Sequence, residues 1–325
     1  MIMMKKIQAA CAMSALCLSV GCGETFDPFE KVQGLRVLGV SADKPALLPG
    51  EDTVLDALLH QDPDVEVKWQ WDWCPFPSGP QDEYECGISQ EEFDAQLTGF
   101  GIEAPALDLG SAPTASFTYP LSPEVLQGLC AALTEGQDIP DFVVLPDCSE
   151  SFPITVRLIV EQEGVGRIVA IKSIRLLYDA PTDEEVNSNP RVGGVKLARP
   201  GVTEEDAAEL VEGEAYVVAR EEEVKLTLEV APEMSQTYTP PPSDRDPNPV
   251  ARLENLRALW FYEDGELEFE STGFIDGFLS LEELSKNTLT LPDAESYPDD
   301  EMNIYVVIQD DRGGMSWVKR SVKFE

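Results

Sequence analysis

A single histidine, His60, stands among 325 residues. Histidine-assisted nucleophilic catalysis therefore has one candidate base, and it sits in L-L-H-Q-D-P, where a strand runs out into a turn. The same scarcity removes histidine-rich zinc centres, and the cysteines lack the paired short spacings of zinc sites. Cations are scarce too: 23 Lys and Arg against 61 Asp and Glu leave a formal net charge of −38. Nucleic-acid phosphates need Lys and Arg to displace their counterions, so nucleic acid is excluded as a partner. The bare surface is likewise unsuited to anionic headgroups. No glycine-rich loop joins a strand to a helix, which removes phosphate cradling. The leading apolar stretch, 7–20, is about 14 residues and too short to cross a bilayer as a permanent helix.

That stretch follows Lys5 and Lys6 and ends in L-S-V-G-C at Cys22, the layout of a secretory signal over 1–21. Leu18, Ser19, Val20 and Gly21 ahead of Cys22 resemble the lipobox of a type II signal peptide, although Ser19 replaces the commoner branched aliphatic residue. The resemblance implies acylation of Cys22, palmitate included, and anchoring to the membrane through that N-terminal lipid. A tether would follow over 22–31. Gly23 stands where Asp would imply inner-membrane retention, so the outer membrane is the expected address. Two or three acyl chains anchor durably, at about 0.8 kcal/mol per buried CH₂. A plain secretory signal is the alternative.

Roughly 304 residues remain beyond the leader, enough for two domains with their own cores. Cys74, Cys86, Cys130 and Cys148 form an even set in an exported chain, which implies two disulfides. Sequence proximity favours Cys74 with Cys86 and Cys130 with Cys148; a nested pairing, Cys74 with Cys148 and Cys86 with Cys130, would staple the root of one long insertion. The acid excess reads first as solvated surface. Its second reading is calcium, because hard cations want several carboxylate and carbonyl oxygens. The candidate pairs are Asp62 and Asp64, Asp244 and Asp246, Asp299 and Asp300, and Asp310 and Asp311, none in the spacing of an EF-hand. No other cofactor is indicated.

The hydrophobic pattern has period two almost wherever it is clear. Over 65–73 Val65, Val67, Trp69, Trp71 and Trp73 alternate with Glu66, Lys68, Gln70 and Asp72, a strand with one buried face. On that alternation the tryptophans are core, although one face of indoles could also stack on sugar rings. Residues 154–160 and 167–177 flank a Glu163-Gly164-Val165-Gly166 turn and read as a hairpin. Upstream, a strand ends near Pro45 and Pro49-Gly50 turns the chain into another. The second half repeats the scheme with strands at 195–198, 224–230 and 256–262. Asp264-Gly265 is expected to turn the last of these back into Leu267 and Phe269, and 302–309 with 315–324 close a hairpin. Two copies of one strand programme at this size mean tandem domains.

Short strands and the run P-A-L-L-P-G-E, with Pro45, Pro49, Gly50 and Glu51, resemble the immunoglobulin-like β-sandwich domains of bacterial surfaces. The resemblance implies a mainly β fold of two tandem antiparallel sandwiches. The first spans 32–178 and the second 191–325, joined by a polar linker over 179–190. With the leader, the early C-P-F-P and the late D-D-R-G-G, the chain also resembles myxobacterial surface lipoproteins, which implies a home and no activity.

One insertion, 74–148, holds all four cysteines and two expected helices, one capped by Ser89 with Glu92 and one opened by Ser122-Pro123. Loops held by a rigid scaffold carry function disproportionately, so this is the expected binding surface, or else a cystine-stapled cap. A second insertion, 231–248, is proline-rich and reads as an extended exposed loop. The expected protein is a lipid-anchored, non-enzymatic envelope protein that binds an envelope protein or polysaccharide or plays a structural role. The competing expectation is a carboxylate-based hydrolase working beneath the insertion, with Asp82, Glu83 and Glu85 among its acids.

Overall fold

The computed structural model describes residues 28–61, 63–99, 101–134, 151–181, 186–240 and 247–325. The expected leader over 1–21, Cys22, Cys148, Asp62, Asp244 and Asp246 lie outside the described residues.

In the first half, β1 (Arg36–Ala42), β3 (Asp52–His60) and, further on, Ala115–Thr118 form one sheet. Between β1 and β3 the chain changes sheet: β2 (Ala46–Leu47) lies parallel to Arg175 and Leu176 of the opposing layer. Pro45 marks the switch, and its carbonyl accepts from Arg175 N at 3.1 Å. The opposing layer is built on β4 (Val67–Cys74), with β5 (Asp108–Gly110) at its edge; the Ala115–Thr118 strand is β6. The expected hairpin is β7 (Ser151–Gln162) with β8 (Gly166–Leu177), and the order is β2-β8-β7-β4-β5. Trp71 and Trp73 are buried core, as their alternation implies. Trp73 meets Phe117 at 5.4 Å and Phe93 at 6.1 Å, edge-on, contacts worth about 0.5–1.5 kcal/mol each beyond area burial. The stretch 74–148 is therefore not one insertion. It contributes β5 and β6, short strands that belong to the sandwich itself.

The second half repeats this plan. One layer is β10-β9-β12-β18-β16, from β9 (Val192–Ala198), β10 (Ala208–Leu210), β12 (Glu223–Val230), β16 (Glu266–Leu267) and β18 (Lys286–Thr290). The other is β11-β20-β19-β15-β17, from β11 (Ala215–Val218), β15 (Leu256–Tyr262), β17 (Ser271–Phe274), β19 (Glu301–Asp310) and β20 (Met315–Phe324). Here β11 repeats the switch, lying parallel to β20. Asp264-Gly265 does not return β15 on itself, as the sequence led us to expect. The chain crosses to the other layer, where Leu267 pairs with Leu289, and β17 comes back to pair with β15. Gly265 has φ +115°, and a Cβ there would stand 2.4 Å from Thr290 O, so the crossing requires glycine. The second insertion is only partly exposed: β13 (Thr237–Tyr238) pairs with β14 (Arg252–Leu253), and Met234 and Tyr238 are buried.

Strand order and the repeated parallel closing pair make both halves immunoglobulin-like sandwiches. They pack side by side. The outer face of β1 and β3 lies on the outer face of β15, β19 and β20 through Val32, Leu38, Leu58, Phe261, Tyr305 and Val307. A register shift at Leu38 turns that residue outward, and at Gly39 a Cβ would meet Met315 Sδ at 3.0 Å. The linker is pinned at its end: Asn189 Nδ2 donates to Ala42 O at 2.7 Å and its Oδ1 accepts from Met315 N at 2.9 Å.

Candidate binding cleft

Cys74 ends β4 and is bonded to Cys86, with 5.3 Å between Cα atoms. The local pairing therefore holds for this cystine, and the nested one does not. Cys130 is also disulfide-bonded. After the cystine the helix Gln90–Thr98 begins at Ser89, whose Oγ accepts from Glu92 N while Glu92 Oε2 accepts from Ser89 N at 2.9 Å. This is the expected capping box. Phe93 and Leu97 are its buried face, packed toward Trp73. The segment beyond the helix is sewn back onto β4. Trp73 Nε1 donates to Ala106 O at 2.8 Å, and the Gln90 amide donates to Pro105 O at 3.2 Å and accepts from Leu107 N at 2.7 Å.

These pieces leave an open cleft of about 560 Å³, lined by Asp72, Gln90, Asp94, Asp108 and Arg157 over Trp73 and Leu107. Asp72 and Arg157 face each other across β4 and β7, and the guanidinium grips the carboxylate at 2.8 and 3.0 Å. Asp94 accepts from Gln90 Nε2 at 2.6 Å, and Asp108 from Gly110 N at 2.8 Å. Each carboxylate thus has a fixed donor already. What the cleft presents to solvent is the spare acceptor capacity of the exposed Asp94 and Asp108, beside the engaged Gln90 amide and Asp72–Arg157 pair and over an apolar floor. That arrangement is suited to hydrogen-bonding a ligand. Of the acids raised for hydrolysis, Glu83 is ion-paired with Arg167, and its carbonyl accepts from Arg157 at 3.4 Å.

His60 is away from the cleft, in the seam between sandwiches. Its Nδ1 lies 3.1 Å from Tyr305 Oη and 3.4 Å from Glu263. Burial there lowers its pKa, with Glu263 opposing. The calcium candidates Asp310 and Asp311 serve the β19–β20 turn instead. Asp310 Oδ1 accepts from Arg312 N at 2.8 Å and Gly314 N at 2.7 Å, and burial raises its pKa. Asp311 accepts from Tyr238 Oη at 3.0 Å and Asn255 Nδ2 at 2.9 Å. Asp310 Oδ1 and Asp311 Oδ2 are committed to these protein donors, and among the described residues no third ligating side chain joins the pair, which is what counts against the ion-site expectation here. Among the described residues no three His, Cys, Asp or Glu side chains converge as metal ligands. Asp244 and Asp246 lie outside those residues.

Two buried charges went unread in the sequence. Lys172 on β8 crosses the seam to donate to Gly313 O, and Glu254, fully buried, pairs with Arg312. The one available signal was the unbroken apolar run Ile304–Ile308, which marks a strand covered on both faces.

Fold and cleft define the class: a two-domain immunoglobulin-like protein with a hydrogen-bonding cleft at one end of its first sandwich. No family model matches the chain, and no curated protein matches it either. Among solved structures, titin domains z1z2 in complex with telethonin align at 12% identity over 91% of this chain and 98% of that one, with a TM-score of 0.19. A carbohydrate-binding module of the β-sandwich superfamily aligns at 13% identity over 91% and 98%, with a TM-score of 0.21. At such scores neither match bears on function, and the fold class rests on strand order.

Proposed function

We propose that this chain is a lipid-anchored protein of the cell envelope, in the outer membrane, with a non-enzymatic binding role. Acyl chains on Cys22 hold it, and the cleft takes a hydroxyl-rich ligand, an envelope polysaccharide. The observation that carries the binding role is the cleft's chemistry. Asp94 and Asp108 are exposed and each fixed by a donor yet keep acceptor capacity toward solvent, beside Gln90 and the Asp72–Arg157 pair. Sugar hydroxyls supply the donors such oxygens accept, and the apolar floor backs the ring faces.

Titration calorimetry of the protein with polysaccharide from its own envelope tests this. Asp94→Asn and Asp108→Asn should each weaken binding about five-fold, the equivalent of one net hydrogen bond of about 1 kcal/mol. No sugar should be released. Loss of a measured hydrolysis at either substitution, with folding intact, would overturn the binding role in favour of a hydrolase.

A further inference from the structure

The chain is fastened at one end of the paired sandwiches before its first strand begins. Val32 N donates to Tyr262 O at 2.8 Å, Tyr262 N to Glu30 O at 3.1 Å, and Lys31 Nζ to Asp264 at 2.8 Å. Arg36 donates to the carbonyls of Phe29 and Lys31 at 2.8 and 3.0 Å and lies over the Phe29 ring, 4.9 Å from its centroid. Phe29 leans on Phe261 at 5.6 Å, yet 63% of it is exposed. Residues 28–32 are thus a strap tied to both sandwiches, and the tether expected over 22–31 shortens. Six peptide steps from Cys22 to Pro28 reach at most about 20 Å.

The strand registers fix which features share that end. Arg36 pairs with His60, and β15 finishes there at Tyr262. Val67, where β4 begins, pairs with Gln162 just before the exposed turn that carries Val165. The cleft is at the opposite end, where β4 reaches Asp72 and Cys74. So is the turn after β17, since Phe274 pairs with Leu256 at the far end of β15. That turn is closed by Phe278 N donating to Ile275 O at 2.9 Å, and Phe278 is 87% exposed.

Resting on the anchored reading above, we propose that the strap end is the membrane-contacting face, with Phe29 seated in the headgroup region of the bilayer. The cleft and the Phe278 turn then face away from it. A short tether leaves Phe29 within reach of the interface, where an exposed apolar side chain is buried at the headgroup–acyl boundary. Strands of six or seven residues put the cleft about 20 Å further out.

The experiment uses the native acylated protein in phosphatidylcholine vesicles containing a doxyl-labelled lipid. An environment-sensitive fluorophore is placed on Phe29→Cys, Val165→Cys or Phe278→Cys, and intact mass is taken from the same samples. Val165→Cys leaves the strap untouched, so the comparison survives if Phe29→Cys disturbs folding. Quenching should be several-fold stronger at 29 than at 278, with 165 between them. Acylated protein quenched at 278 as strongly as at 29 and 165 would overturn the stance and leave the anchor standing. A mass without acyl groups would overturn the anchored reading itself.

Discussion

Lys172 carries its ammonium into the seam with only 6% of the residue exposed. Burial pushes its pKa down from 10.5 to about 8, with Asp310 opposing the shift. The folded protein therefore releases this proton before the unfolded chain does. Between the two values the unfolded state binds more protons, so this residue's contribution to stability grows as pH rises through about 8 and is complete above the unfolded value. Tyr119 and Tyr262, both pushed up to about 12, add the opposite trend once unfolded tyrosines ionise near pH 10. The useful window is thus about pH 8 to 9.5. Urea unfolding across it should show stability rising by about 1–2 kcal/mol, and Lys172→Met should flatten the rise. The same turn explains a glycine: a Cβ on Gly314 would stand 2.1 Å from Asp310 Oδ2.

The cystine loop acts at the scale of an element. Cys74 and Cys86 close a loop of 12 residues, for which loop-closure entropy gives about 3 kcal/mol. The loop positions the helix that walls the cleft. Cys74→Ser with Cys86→Ser should lower unfolding free energy by about 2–4 kcal/mol, and hydrogen exchange should rise over Gln90–Thr98 before it rises in β7. Alternation made β4, β7, β8, β12 and β15 legible in the sequence, because one buried face writes period two directly. The capping box at Ser89 was legible because its partners are three residues apart. The changes of sheet at β2 and β16 were not. Strands such as β2 and β16 are two residues long, too short for any period, and their partners Arg175 and Leu289 lie far along the chain. The cleft's location could be read from the cysteines, but its composition could not, since Arg157 enters from β7.

For the molecule as a whole, the question is whether two sandwiches behave as one body. Alternation along β15, β19 and β20 sends Trp260, Val306 and Val318 into the second core and Phe261, Val307 and Trp317 into the seam. A strand covered on both faces loses its polar face, as Ile304–Ile308 has. A linker between independent domains would leave that outer face polar, so the apolar run indicates a permanent contact. Polar ties reinforce it at intervals, from Lys31 with Asp264 at the strap end to Asn189 with Ala42 toward the other. Small-angle scattering should therefore give a radius of gyration near the roughly 19 Å of one compact body of this size, not the larger value of an end-to-end pair. Leu58→Asp places a carboxylate inside the apolar layer, where an unpaired charge is costly. Its radius should grow by several ångströms while circular dichroism keeps its β signature, because both sandwich cores are separate clusters that Leu58 does not enter. An unchanged radius in Leu58→Asp would mean that the strap, Lys172 and Asn189 hold the seam without its apolar layer.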